Sequence, residues 1–288
     1  MIFQNELLKN HTTFKIGGYV KFFSKPKNVK ELVYVVKLSK DKNLRIIPIS
    51  NGSDIIFPDY ELNAIVIKLD EMKGINISDD IVEIFSGEGL PKLAIYLENY
   101  GLSGFEYLYG IPGKIGGAVC KNAGAYGVEI KNLLLKAFVV NWEGEIIELN
   151  SSELNLRYRE SDLLKYGILY KAIFKLKKDN PENIRKRRKE FSEIRKKTQP
   201  YGIPTAGCMF KNPSGNSAGK LIESVGLKGF RIGDIKISEK HANFFINLGN
   251  GKAEDVLKLM EIAKKRVYEE YGIILEEEVV IIKWRSTS

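Results

Sequence analysis

The chain has 288 residues, 44% of them hydrophobic, enough for a sizeable core in two domains or in one large lobed domain. No stretch is long and apolar enough to span a bilayer, and the opening MIFQNELLKNHTTF lacks the charged-then-apolar layout of a secretion signal, so a cytoplasmic protein is expected. The formal net charge of +9 favours anionic partners, while two cysteines and two histidines make neither a disulfide framework nor a paired metal-ligand spacing.

In chain order, 28-NVKELVYVVKLSK-40 puts Val29, Leu32, Val33 and Val36 on one helical face, with Asn28 and Glu31 spaced as a capping box. The Ile/Val-rich runs 45–49, 64–69 and 81–86 read as strands. Leu93, Tyr96, Leu97 and Tyr100 predict a helix ended by Gly101. Segments 133–140 and 145–149 form a hairpin pattern around Glu143-Gly144, and 168–176 is a further strand. The run 184-IRKRRKEFSEIRKK-197 holds eight Lys or Arg. Glu190 and Glu193 interrupt it, and Phe191 and Ile194 sit three apart, so it reads as a solvated connecting helix rather than a nucleic-acid patch. Pro200 and Pro204 mark a linker. A helix near 216–225 follows, then strands near 230–237 and 243–248. A long helix over 253–271 has Val256, Leu257, Met260, Ala263 and Val267 on its core side. The expected last strand is 273–284, with a tail 285-RSTS-288. Mixed element order and hairpins predict an α+β protein of two lobes split near residue 198.

The stretch 110-GIPGKIGGAVCKNAGAYG-127 contains six glycines. Glycine loses more conformational entropy on folding than any other residue, so so dense a cluster needs a reason. A P-loop is excluded because Gly113-Lys114 is followed by Ile115; the dinucleotide fingerprint is excluded because no glycine stands two before Gly113 or Gly116. What remains is bare backbone packed against a ligand, with N–H groups forming a nest for phosphate, or else a set of tight turns. A second loop of similar character, 50-SNGSDIIF-57, suggests that a diphosphate is held between the two.

The segment 102-LSGFEYLYGIPGKIGGAVCKNAGAYGVEI-130 closely resembles the flavin-binding segment of the UDP-N-acetylenolpyruvoylglucosamine reductases. Further matches follow in order along nearly the whole chain: 12-TTFKIGG-18, 157-RYRES-161, 198-TQPYGIPTAGCMFKNP-213, 226-GLKGFRIG-233, 238-SEKHANFFIN-247 and 275-LEEEV-279. The short tyrosine-bearing insertion of one subclass is absent, which points to the compact subclass. The resemblance implies an FAD-binding domain of the vanillyl-alcohol-oxidase type over 1–180, in two subdomains of about 1–68 and 69–180. A connecting helix over 181–197 and a substrate-binding domain over 198–288 follow. It implies FAD as cofactor, NADPH as reductant, and reduction of UDP-N-acetylglucosamine enolpyruvate in peptidoglycan precursor synthesis. The partners implied are small molecules, with a monomeric chain and no nucleic acid or membrane.

By residue, the resemblance assigns Gly113, Gly116, Gly117, Asn122, Gly124 and Gly127 to the flavin and its diphosphate, and Asn51, Gly52, Ser53 and Asp54 to the other phosphate loop. The chain departs from the family where Ser50 replaces a usual glycine and Asp54 a usual asparagine; Cys120 and Lys121 also depart, and Cys120 reads as a small packing residue. The implied reaction adds hydride to the terminal vinyl carbon and leaves charge on its neighbour, delocalised into the carboxylate. Such chemistry needs a cation at the carboxylate and a general acid at the carbanion. Arg159 matches the first role. Cys208 matches the second, at a position more often serine; a thiol with an ordinary pKa of about 8.5 is mostly protonated near neutral pH. Glu278 matches the family's acid, though Glu276 and Glu277 adjoin it. Lys211 and Asn212 match substrate-binding positions, and Lys196, Tyr201, His241 and Asn243 are candidates for the nucleotide end. The rivals are another FAD-linked oxidoreductase of the same fold and a nucleic-acid-binding protein using the basic run.

Overall fold

A computed structural model describes residues 2–283; the expected end of the last strand at Trp284 and the tail 285–288 lie outside the described residues. The chain forms two compact units. The first comprises 1–4, 22–51 and 63–195; the second comprises 5–21, 52–62 and 196–288. The partition is therefore not linear in sequence: two N-terminal segments group with the C-terminal unit.

The first unit contains the helix α1 (Val29–Asp41), and its capping box is formed. The Asn28 side chain accepts from the Glu31 N–H at 3.0 Å, and the Asn28 amide donates to Glu31 at 3.1 Å. A cap of this kind stabilises a helix by about 1 kcal/mol. Leu32, Val35 and Val36 are the buried apolar positions of α1, with Val29 and Val33 half-buried beside them. The strand Arg45–Ile49 runs parallel to Leu62–Lys68. Their sheet also contains Tyr19–Ser24 and Ile2–Leu7, two strands that the apolar patterning does not reveal. Ile2–Leu7 has no buried residue and Tyr19–Ser24 buries Ser24, so neither shows a clean period of two.

A five-stranded antiparallel sheet forms the rest of this unit. Its order is Ile146–Asn150, Leu134–Asn141, Gly167–Lys175, Ile81–Phe85, Ile75–Ser78. The expected hairpin is present, with Gly144 at φ +79° in its turn. The helix α2 (Leu90–Asn99) ends, as expected, at Gly101 with φ +64°. It packs with the short helix α3 (Ile115–Cys120) and with α4 (Leu163–Tyr166) over one apolar cluster that includes Leu93, Leu97, Phe105, Val119 and Phe174.

The basic run forms α5 (Pro181–Thr198), but it is not the freely solvated helix that its composition suggests. Arg185 and Arg188 each donate through Nε to Glu98 at 2.6 Å, and the Glu98 side chain is only 2% exposed. Arg187 reaches Glu106, whose side chain is fully buried, at 2.8 Å, and Asp179 at 2.6 Å. Tyr126 stacks on Phe191 with ring centroids 4.2 Å apart. Composition reports the arginines, but not the buried carboxylates, far away in sequence, that receive them.

In the second unit the strands Thr205–Cys208, Phe244–Asn247, Ile235–Ile237 and Arg231–Ile232 form an antiparallel sheet in that order. The helices α6 (Ala218–Ser224) and α7 (Ala253–Tyr271) share its core with Phe14, Ile16, Phe210 and Phe245. On α7 the buried side includes Leu259, whereas Leu257, expected there, is half-buried. The expected long last strand is reduced to Val280–Ile281, parallel to Ile55–Ile56, with a single bridge at Glu277. Three consecutive glutamates supply no alternation to sustain a longer ladder.

Candidate active site

The glycine-rich segment enters α3 through Lys114 in an extended conformation. The N–H groups of Ile115 and Gly116 bond the carbonyls of Glu88 and Ser86, both at 2.9 Å. This holds α3 so close to its neighbours that a Cβ on Gly117 would lie 3.2 Å from the Ser50 Cβ. Gly124 sits in a tight hairpin, where a Cβ would meet the Glu129 side chain at 2.6 Å. Packing within the chain therefore accounts for Gly117 and Gly124. Gly113, Gly116 and Gly127 are different: a Cβ at Gly113 or Gly116 would meet only ordinary contacts at 3.4 Å, and at Gly127 nothing within 4 Å.

The second loop adjoins the first. The Asn51 amide donates to the Pro112 carbonyl at 2.6 Å, and Ser50 faces Gly117. Among the described residues, three buried polar atoms here have no hydrogen-bond partner: Ser50 Oγ, Ser86 Oγ and Asp70 Oδ1. A buried hydroxyl or carboxylate oxygen left unsatisfied costs about 1–3 kcal/mol, so such a group points to something that completes it. Asp70 lies 3.4 Å from Lys68 and 3.7 Å from Lys114 through its other oxygen. Burial pulls the Lys114 ammonium below the ordinary lysine range, against the opposing pull of Asp70. Bare backbone at Gly113, unsatisfied acceptors and donors, and buried cations suit a ligand with phosphates and hydroxyl groups, and FAD fits that description. Neither serine, nor Asp70, nor Lys114 carries a local sequence signal; only the fold gathers them.

Gly52, Ser53 and Asp54 belong to the second unit. Gly52, at φ +66°, would place a Cβ 2.3 Å from the His11 carbonyl oxygen, so close approach of residue 11 is reason enough for glycine there. The Asp54 carbonyl accepts from the Val280 N–H at 2.8 Å.

The loop bearing Arg159 is fastened to the glycine-rich segment at three points. Asn122 Nδ2 donates to the Arg157 carbonyl at 2.9 Å, Ser161 Oγ to the Cys120 carbonyl at 2.7 Å, and Arg159 Nη2 to the Gly124 carbonyl at 2.9 Å. Asn122 is fully buried, its Nδ2 also donates to Glu129 at 3.0 Å, and its Oδ1 accepts from the Lys131 N–H at 2.9 Å. Its side chain thus serves the loop, and what it can offer a flavin is backbone. Arg159 itself sits at φ +58°, a left-handed conformation costing a non-glycine residue about 1–2 kcal/mol, at the tip of a turn closed by Arg157 and Glu160. Strain of this kind clusters at functional sites. The guanidinium lies over the Tyr158 ring, 4.9 Å from its centroid.

In the second unit Cys208 follows a β-bulge. Thr205 pairs with Ile246 and Cys208 with Phe244, so three steps on one strand match two on the other. Gly207, at φ +76°, supplies the turn. A bulge re-aims the side chains beyond it. Here Ala206 and Met209 both enter the core, and Cys208 between them stays half-buried. On the far edge the Glu278 N–H donates to the Met209 carbonyl at 2.9 Å, and the Lys211 N–H to the Glu276 carbonyl at 2.9 Å. Cys208 and Lys211 on one segment and Glu278 on the segment bridged to it at Phe210 and Glu277 are therefore brought close together.

The three glutamates also separate. Glu276 faces solvent at 72% exposure, 3.5 Å from Lys211. Glu277 takes a hydrogen bond from Lys264 of α7. Burial pushes the Glu277 carboxyl up, but the Lys264 ammonium outweighs it and holds the group below the ordinary range. Glu277 is thus ionised and tied at neutral pH. Glu278 is the half-buried member, beside the Cys208 strand.

The remaining candidates divide. Asn212 Oδ1 accepts from the Ala218 N–H at 3.0 Å and so holds the start of α6. Lys196 is exposed at the end of α5, with its carbonyl bound by Lys240, and Tyr201 stands 74% exposed. The His241 ring packs edge-on against Phe244 and over Gly219, and Nδ1 accepts from the Asn243 N–H at 3.3 Å. Burial, the leading influence, pulls its imidazole below the usual value, which leaves it neutral at pH 7. Asn243 is 1% exposed, and its carboxamide is engaged with the Phe210 backbone rather than turned to a ligand.

The model of the UDP-N-acetylenolpyruvoylglucosamine reductase C-terminal domain matches residues 199–282, and an FAD binding domain model matches residues 20–150. The UDP-N-acetylenolpyruvoylglucosamine reductase of Aquifex aeolicus (strain VF5) is 42% identical over 287 residues, covering 98% of this chain and 96% of that protein. The enzyme of the same name from Clostridium tetani (strain Massachusetts / E88) is 42% identical over 279 residues, covering 96% of this chain and 91% of the other. The crystal structure of UDP-N-acetylenolpyruvylglucosamine reductase from Thermus caldophilus superposes with a TM-score of 0.85 at 35% identity, over 98% of this chain and all of that one. Identity of this extent, running through both the glycine-rich segment and the cysteine-bearing strand, means that the chain belongs to the UDP-N-acetylenolpyruvoylglucosamine reductase family, the FAD-dependent, NADPH-driven oxidoreductases of peptidoglycan precursor synthesis.

Proposed function

We propose that in this chain Arg159, Cys208 and Glu278 carry out the protein's part in reducing UDP-N-acetylglucosamine enolpyruvate to UDP-N-acetylmuramate. The 1–180 portion would hold FAD and the 198–288 portion the sugar nucleotide. The single observation that carries the assignment is the bulge at Gly207, which lifts Cys208 off the core face of its strand beside the segment bearing Glu278. Gly113, Gly116, Gly117, Gly124 and Gly127, with the Asn122 backbone, would line the flavin and its diphosphate; residues 51–54 would form the other phosphate loop. Once bound and reduced by NADPH, FAD would supply the hydride for the terminal vinyl carbon.

The chain's own residues then manage the charge. The Arg159 guanidinium stays protonated and can hold the substrate carboxylate through paired hydrogen bonds, offsetting the enolate charge. The Cys208 S–H donates its proton to the carbon next to the carboxylate, leaving a thiolate. The Glu278 carboxyl orients the substrate or returns a proton to that sulfur. Lys211, with a side chain 26% exposed, would meet phosphate or carboxylate oxygens of the substrate together with Asn212, and Lys196, Tyr201 and His241 would face its nucleotide end. A cytoplasmic monomer acting on this small molecule completes the proposal; among the described residues no helix is long and apolar enough to cross a membrane. The test is to follow the two half-reactions separately by flavin absorbance. In Cys208→Ala, bleaching by NADPH should persist and recolouring by the enolpyruvyl sugar nucleotide should stop. Normal recolouring would remove Cys208 from the proton-donor role.

A further inference from the structure

We infer that Asn243 is a positioning residue for the Cys208 proton donor, acting through the backbone of Met209 and Phe210; this rests on the role proposed for Cys208. Asn243 makes three hydrogen bonds to the two residues after Cys208. Its carbonyl accepts from the Met209 N–H at 2.8 Å, its Oδ1 accepts from the Phe210 N–H at 3.0 Å, and its Nδ2 donates to the Phe210 carbonyl at 2.7 Å. The side-chain amide thus completes both backbone polar groups of Phe210, as a neighbouring strand would. Such a supplement is needed here because the bulge between Thr205 and Cys208 interrupts the regular ladder.

The grip extends to the other proposed catalytic group. The Met209 N–H goes to Asn243 while the Met209 carbonyl receives the Glu278 N–H at 2.9 Å. The strand after Cys208 is therefore held on both edges, and the depth of Cys208 relative to Glu278 depends on where Asn243 fixes it. Asn243 is itself restrained: it is 1% exposed, and its N–H is bound by His241 Nδ1 at 3.3 Å. A polar side chain so buried with both ends satisfied specifies a unique arrangement, whereas an apolar substitute would leave the Phe210 N–H and carbonyl without partners. Misplacing a reacting group by about 1 Å can slow a step on the order of 100-fold.

The experiment uses the FAD-loaded full chain carrying Asn243→Ala, with Asn243→Ser as the milder variant should the first accumulate poorly. Flavin reduction by NADPH should stay within about twofold of the parent. Recolouring by the enolpyruvyl sugar nucleotide should slow by about 10- to 100-fold in kcat with little change in KM. The inference is overturned if both half-reactions slow together, if neither slows, or if the loss appears in KM rather than kcat. Unimpaired recolouring in Cys208→Ala alone would instead sink the cysteine assignment itself, so the two failures are distinguishable.

Discussion

Removing both arginines from Glu98, as Arg185→Ala/Arg188→Ala, should destabilise the first unit in a strongly pH-dependent way. Both guanidinium groups bond Glu98 at 2.6 Å, and its side chain is 2% exposed. Burial alone pushes the Glu98 carboxyl up; the hydrogen bonds from Arg188 and Arg185 outweigh it and hold the group below the ordinary carboxylate range. A folded-state value below the unfolded one contributes stability at neutral pH and loses it as pH falls through the carboxylate range. Without its partners the buried carboxylate can escape only by taking up a proton. From an unfolded pKa of about 4.3, protonation at pH 7 costs about 3.7 kcal/mol, and at pH 5 about 1 kcal/mol. The first figure falls within the range of about 3–5 kcal/mol found when a buried pair is broken from one side. Equilibrium urea unfolding of the FAD-free protein, followed by circular dichroism, should show the double variant weaker by these amounts at the two pH values. Adding Glu98→Leu should recover most of the loss and flatten its pH dependence. An equal loss at pH 5 and pH 7 would refute the electrostatic account and leave only lost packing.

Cys208→Ser should keep substantial turnover, since a hydroxyl of similar size at the same position can also give up a proton, and stopped-flow recolouring of reduced flavin measures it directly. Glu278→Gln should slow recolouring by about 100-fold, whereas Glu277→Gln should leave it unchanged and cost at most about 1 kcal/mol for the partly exposed Lys264 pair. The reverse order would move the acid to Glu277. Gly117→Ala should destabilise the FAD-free protein by about 1 kcal/mol: the gain of about 1 kcal/mol in helix propensity is outweighed by about 1–3 kcal/mol of overpacking, because the new Cβ would stand 3.2 Å from the Ser50 Cβ. Ser50→Gly in the same chain should reverse the sign in a thermal melt; a Gly117→Ala protein already more stable than its parent would show that Ser50 yields freely.

Local pattern carried much of the architecture. Apolar residues at helical spacing located α1, α2 and α7, Asn28 and Glu31 located a cap that forms, and Gly101 and Gly144 located a helix end and a hairpin turn. The strands Ile2–Leu7 and Tyr19–Ser24 escaped notice, because their pairing is decided by distant partners and not by their own alternation. Among the site residues, motif matching could select Arg159 and Cys208, but it could not say that Asn122 holds the Arg159 loop or that Asn243 braces the strand of Cys208. An asparagine's two polar ends can serve a ligand or the backbone, and sequence carries no mark of which.

The order of glycine, cysteine and charged motifs along the chain was sufficient to determine its class and family, since each depends on residues only a few positions apart. Tertiary structure alone decided what the charges do. It turned a basic helix into the counter-charge of Glu98 and Glu106, tied Glu277 to Lys264 while leaving Glu278 half-buried, and gathered Ser50, Ser86 and Asp70 around α3. The physical reason is that a charge or hydroxyl group acquires its energy from the groups the fold brings within a few ångströms and from the water it excludes, neither of which is a property of neighbours in sequence.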